Sequence, residues 1–334
     1  MGKPVLLKTN ELPYPLLDEA AMAANKAVKN ANRYPEIDAF STRQIIADHY
    51  GVTPDWVVAG NGSASVIQQA MIASGQTGVA FCWPSFDAFP VLGKALNMKV
   101  QLASVHKNGS CDLDELAGVV DDKTSLIIVC TPNAPTGGIV THDALEAFIR
   151  KIPTRVTILI DEAYGEFTRD DQAARALELV KKYNNVLMTR TFSKAYGMAG
   201  LRVGYAIAHP ELAKRMQMGL PYSVSSAAQA AVVEALGNQK QMKKHVEAII
   251  HERGRLTDML RTFGQHVVVG HGNFVWLPVG KKAPALAAAL AKHDVLVKVL
   301  EPLGVRITVG TSEETDKLKA AWEKAGLASH SANA

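Results

Sequence analysis

Ser125-Leu126-Ile127-Ile128-Val129-Cys130 leads through Thr131-Pro132-Asn133-Ala134-Pro135-Thr136-Gly137-Gly138 to a helical pattern over 141–150. Val156-Thr157-Ile158-Leu159-Ile160 follows. The two apolar, β-branched runs fit strands buried on both faces. A strand, a turn rich in Pro and Gly, a helix and a second strand read as a βαβ unit of a parallel sheet. The alternation continues in both directions. Strand-like runs lie at 57–59, 78–81, 99–103, 185–190 and 201–208, and helical patterns at 63–72, 85–96 and 173–183 separate most of them.

After Pro221 the texture changes. Helical patterns cover 225–236 and 239–263. Short strand-like runs follow at 267–269, 274–277, 296–299 and 306–309, with helices at 283–292 and near 313–325. This reads as a smaller α+β lobe. The expected organisation is an N-terminal arm over 1–30, a large domain over 31–222 and a small C-terminal domain over 223–334. The small, polar tail 329–334 is expected to fray.

Composition sets the outer limits. The 334 residues are 48% hydrophobic and 20% charged, which suits two packed lobes and rules out a disordered chain or a coiled coil. A net charge of +4 without a Lys/Arg run argues against a nucleic-acid surface and suits anionic small substrates. No apolar run reaches the ~18 residues of a membrane span. Met1-Gly2-Lys3-Pro4 carries no apolar core, so no signal peptide is expected and the location is expected to be cytoplasmic. Cys82, Cys111 and Cys130 lack metal-ligand spacing and read as buried, reduced thiols. The ten histidines are dispersed, so no metal is expected.

Four segments carry candidate chemistry. Thr191-Phe192-Ser193-Lys194-Ala195-Tyr196-Gly197 follows a strand and sets one lysine among small and apolar residues. Partial desolvation lowers such a lysine's pKa and frees its amine to condense with a carbonyl. Ser193 and Arg202 are candidate phosphate ligands. A solvated loop lysine is the plainer alternative. Asp161-Glu162-Ala163-Tyr164 puts an acid at the end of an apolar strand, where ligands bind in open α/β sheets. That acid could meet a protonated pyridine nitrogen, a metal or a ribose hydroxyl. Asn133 lies on a turn stiffened by two prolines, which is either a ligand contact or purely structural. Gly60-Asn61-Gly62-Ser63-Ala64-Ser65 opens a helix whose N-terminal amides suit a phosphate; as a dinucleotide fingerprint it is weak.

Taken together, the segments resemble the fold-type-I pyridoxal-phosphate aminotransferases, within the branch of histidinol-phosphate and aromatic amino acid aminotransferases. The resemblance runs from about Lys8 to Trp322. Asp161 lies 33 residues before Lys194, and Arg202 eight after it, in the family's order. Asn32-Arg33-Tyr34-Pro35, Pro221-Tyr222-Ser223-Val224-Ser225 and Val305-Arg306-Ile307-Thr308 also match.

The resemblance implies an aspartate-aminotransferase-like fold: a three-layer αβα large domain on a mainly parallel sheet, with a smaller α+β domain. It implies that Lys194 carries pyridoxal 5'-phosphate and moves the substrate proton, that Asp161 pairs with the ring nitrogen, and that Tyr164 bonds the phenolic oxygen. Ser63, Ala64, Ser193 and Arg202 would hold the phosphate, and Tyr34 would reach that of a neighbouring subunit in a homodimer. Arg306 and Asn10 would bind substrate. The implied reaction is ping-pong transfer between an aromatic or imidazole-bearing donor and 2-oxoglutarate.

Three positions depart from the family pattern. Ala134 stands where an Asn usually bonds the phenolic oxygen, so Asn133 is expected to replace it. The residue expected to stack on the ring falls on Phe89. Lys298 stands where histidinol-phosphate enzymes carry an arginine, keeping the charge without the fork. The alternatives weighed are a decarboxylase of a phosphorylated amino acid on the same scaffold, a nicotinamide oxidoreductase using the Gly60 loop, and a non-catalytic binding module. The second leaves Lys194 and Arg202 unexplained.

Overall fold

The computed structural model describes residues 3–328; the tail expected to fray lies outside the described residues. The strands are β1 (Val5–Leu7), β2 (Val57–Gly60), β3 (Gly78–Trp83), β4 (Lys99–Ser104), β5 (Leu126–Cys130), β6 (Thr157–Asp161), β7 (Val186–Thr191), β8 (Gly204–Ala208), β9 (Phe274–Leu277), β10 (Val295–Leu300) and β11 (Gly304–Thr308). Seven of them form one sheet in the order β2-β8-β7-β6-β5-β3-β4. Its core, from β4 to β7, is parallel, and β8 runs antiparallel to both neighbours.

The apolar strands read from the sequence are buried on both faces, and their side chains alternate between two cores. Ile127, Val129, Ile158 and Ile160 pack on one face with Leu145, Phe148 and Ile149 of the helix His142–Lys151. Leu126, Ile128, Leu159 and Leu187 pack on the other with Val66, Ile67 and Met71 of the helix Gly62–Ala73. The result is a three-layer αβα arrangement. Thr141 caps the first helix by accepting a hydrogen bond from the Ala144 amide, and Arg150 and Lys151 complement its C-terminal dipole.

The second sheet has the order β1-β10-β11-β9. Its edge strand β1 comes from the N-terminus and pairs in parallel with β10. Three boundaries differ from expectation. The run 201–208 becomes a 3₁₀ turn at Ala199–Leu201 followed by β8, because Arg202 takes a left-handed conformation (φ 54°) that breaks the strand. The run 267–269 makes only a single bridge, Val268 to Trp276. The helix expected over 85–96 begins at Ala88. Among the described residues, no helix is long and apolar enough to cross a membrane.

Candidate active site

Parallel strands bring their C-terminal ends to one edge of the large sheet, and a cleft of about 720 Å³ opens there. Cys130, Asp161 and Thr191, the last residues of β5, β6 and β7, line it. The second sheet contributes Lys298 from β10, Arg306 from β11 and the residues just after β1.

Asp161 is 2% exposed, and among the described residues no cationic side chain pairs with it. Burial lifts its carboxyl to about 6, against the pull of hydrogen bonds from the Thr189 hydroxyl and the Ala163 amide. Lys194 donates to the carbonyls of Asn10 (3.1 Å) and Thr9 (3.3 Å). Burial, reinforced by Arg306 and Arg202, brings its amine down to about 8. The lysine is therefore no solvated loop residue. Its Nζ stands 5.8 Å from the centre of the Tyr164 ring. Burial pushes the Tyr164 phenol up to about 12, with Arg306 opposing, so it remains a neutral donor.

At the other end of the cleft, Arg202 Nη1 donates to Ser193 Oγ (3.1 Å) and to the Ala199 carbonyl (3.0 Å). Its guanidinium lies against Gly62, where a Cβ would collide with Nη2; Gly62 also needs φ +78°. Ser63 and Ala64, in the first turn of the helix Gly62–Ala73, face the same space. A guanidinium, a hydroxyl and a helix N-terminus thus converge, which is the chemistry of a phosphate cradle.

Asn10, also left-handed (φ 53°) and 1% exposed, ties the two lobes together. Its Nδ2 donates to the Tyr164 hydroxyl (2.9 Å), its amide donates to Thr308 Oγ1 (2.9 Å), and its carbonyl also accepts from Asn273 Nδ2 (3.0 Å). Arg306 Nη2 donates to the Lys8 carbonyl (2.9 Å), while among the described residues its buried Nε has no hydrogen-bond partner. Lys298 faces the cleft and pairs with Asp87 at 3.0 Å.

Two expectations need correction. Phe89 is fully buried among Phe81, Phe86 and neighbouring apolar residues, and does not line the cleft. Phe86, 37% exposed, is the aromatic residue that does. Phe89 lies within the helix Ala88–Ala95, whose apolar face turns it inward, whereas Phe86 precedes that helix. Asn133 does not reach the cleft either. Its amide donates to the Pro84 carbonyl (2.9 Å) and Thr136 Oγ1 (2.7 Å), and its Oδ1 accepts from Ser85 Oγ (2.8 Å). That side chain is consumed in holding the turn, and Ala134 faces the cleft instead. Tyr34 is 88% exposed, 5.3 Å from the Tyr222 ring, and outside this cleft. Sequence reasoning missed Phe86, Asp87, Thr189 and Asn273. Phe86 and Asp87 lie three and two residues before Phe89, in the run Trp83-Pro84-Ser85-Phe86-Asp87-Ala88-Phe89; Thr189 and Asn273 carried no local signal.

The chain matches the family described as aminotransferase class I and II over residues 3–321. It belongs to that family. The aromatic amino acid aminotransferase of Corynebacterium efficiens is 38% identical over 97% of this chain and 94% of the relative. That of Corynebacterium glutamicum strain R is 39% identical, over 95% and 92%. The histidinol-phosphate aminotransferase of Sinorhizobium meliloti, solved with pyridoxal-5'-phosphate, superposes with a TM-score of 0.88 at 24% identity, covering 97% of this chain and 91% of that one. The fold is that of the aspartate-aminotransferase-like, fold-type-I enzymes, and this aminotransferase depends on pyridoxal phosphate.

The residues of the cleft fit that cofactor. A buried carboxylate without a cation, a lysine amine near neutrality and a cationic cradle against a helix N-terminus each match one part of it. Asp161 would hold the ring nitrogen protonated, Tyr164 would bond the phenolic oxygen, and Ser63, Ala64, Ser193 and Arg202 would hold the phosphate. Once bound, the cofactor supplies a carbonyl for the amino group and a ring that takes up electron density from the substrate Cα. Lys194, its amine brought down to about 8 by burial, would move the Cα proton.

Proposed function

We propose that this aminotransferase exchanges an amino group between an aromatic amino acid and 2-oxoglutarate, as a cytoplasmic homodimer with shared sites. The observation that carries the donor class is the Lys298–Asp87 pair beside Phe86. A donor with a distal phosphate brings about two negative charges to the single charge of Lys298, with Asp87 left beside it to repel the excess, whereas a distal carboxylate brings only one. A flat apolar side chain needs only Phe86 and the lysine stem. The relatives named above as aromatic amino acid aminotransferases support the same reading.

Arg306 binds the α-carboxylate common to donor and acceptor; its unpartnered Nε and planar fork suit a bidentate contact. Lys298 can leave Asp87 for the distal carboxylate of 2-oxoglutarate, so one cleft accepts an apolar and an acidic side chain in turn. The test is a half-reaction screen with phenylalanine, tyrosine and histidinol phosphate, followed through the cofactor's absorbance. Phenylalanine and tyrosine should exceed histidinol phosphate in kcat/KM, and Asp87→Asn should narrow the gap. A wild-type preference for histidinol phosphate overturns the reading.

A further inference from the structure

We infer that Thr189 is a positioning residue for Asp161: its hydroxyl fixes the carboxylate that meets the cofactor's ring nitrogen and favours its charged form. Thr189 and Asp161 are register partners on the parallel strands β7 and β6. Thr189 Oγ1 donates to Asp161 Oδ1 at 3.0 Å. The Thr189 carbonyl accepts from the Glu162 amide at 2.9 Å, so one residue holds both the side chain and the backbone on which it is mounted.

The setting makes the hydroxyl conspicuous. Thr189 is fully buried, follows Leu187 and Met188 on an apolar strand, and does not line the cleft. A valine would fill the same volume without burying a polar group. Among the described residues the hydroxyl makes no other side-chain hydrogen bond, so its proton is committed to Asp161.

The groups facing Asp161 leave this donor a clear role. On β5, its register partner Cys130 has a thiol that burial pushes far up, so it stays neutral. On its own segment, Glu162 raises the Asp161 pKa but is itself paired with Arg190 at 2.9 Å, and Tyr164 is neutral. Lys194 is directed to the Asn10 carbonyl. Burial drives the carboxyl towards its protonated form, and the Thr189 hydroxyl and Ala163 amide counter it. A carboxylate held by a donor on a rigid strand also keeps one orientation at the edge of the cleft.

The inference does not depend on which amino donor is used. The experiment measures the dissociation constant of pyridoxal phosphate from the full-length enzyme across pH 5–9, for wild type and for Thr189→Ser, Thr189→Cys and Thr189→Val. Losing a hydrogen bond to a charged group should move the acid limb of cofactor binding up by about one pKa unit in Thr189→Val, loosening the cofactor about tenfold on that limb. Thr189→Ser should restore the wild-type limb, and Thr189→Cys, a weaker donor, should fall between. If the Val and Cys limbs coincide with wild type, or if Ser shifts as far as Val, the hydroxyl has no such role. If Val does not fold, the order of Cys against Ser decides.

Discussion

Lys298 and Arg306 are register partners on the antiparallel strands β10 and β11, so the two cations stand side by side where the small sheet faces the cleft. Arg306 is the more enclosed, with its guanidinium 5.7 Å from the Phe274 ring; Lys298 lies nearer the mouth, on Asp87. A substrate whose α-carboxylate meets Arg306 therefore extends its side chain toward Lys298.

Lys298→Met should raise the KM for 2-oxoglutarate about tenfold, the worth of one partly exposed charge contact. The phenylalanine half-reaction should change little. Steady-state kinetics on both substrates checks this; equal effects on the two, or none, would place the lysine outside the side-chain pocket.

Lys194 should be the residue that borohydride reduction labels with cofactor, read by peptide mapping. Its depressed pKa also gives a stability signature in the cofactor-free chain. The amine loses its proton at about 8 when folded and about 10.5 when unfolded. Between those values the unfolded chain binds more protons, so stability rises with pH across that window. Lys194→Met should flatten that rise in denaturant titrations.

Asp161→Asn separates function from stability. Losing the buried charge opposite the ring nitrogen should slow turnover about 10²–10³-fold. The cofactor-free chain should gain stability instead. The folded carboxyl titrates at about 6 against 3.8 unfolded, so stability falls as pH rises through that interval. Asparagine avoids that cost of about 3 kcal/mol at pH 7. Chemical denaturation at pH 4 and pH 7 checks the sign.

Phe86 and Phe89, with ring centres 5.5 Å apart, should behave oppositely. Phe89→Ala empties a core site and should cost about 3–5 kcal/mol of stability. Phe86→Ala should cost little stability and should release cofactor faster. Thermal melts paired with dialysis of the cofactor distinguish them.

Tyr34→Phe should leave the melting temperature nearly unchanged while weakening cofactor retention, because its exposed hydroxyl serves a neighbouring subunit in our reading. Sedimentation should give a dimer; a fully active monomer overturns the shared site.

The sequence by itself determined the parallel sheet, since runs such as Leu126–Cys130 and Thr157–Asp161 can only be satisfied with helices on both faces. It also singled out Lys194, Asp161, Tyr164 and Arg202 through their resemblance to the family's motifs, and the structure brings all four to one cleft. Only the tertiary structure decided between Phe86 and Phe89, or gave Asn133 to the turn and Ala134 to the cleft. Neighbours in sequence differ there by which way a short turn rotates them, and packing sets that rotation. The contacts between distant segments were equally hidden. Asn10 on Tyr164, Lys298 on Asp87 and Thr189 on Asp161 each join residues from separate elements. No local pattern encodes such pairs; they exist only once the two sheets close on one another and burial makes every polar atom find a partner.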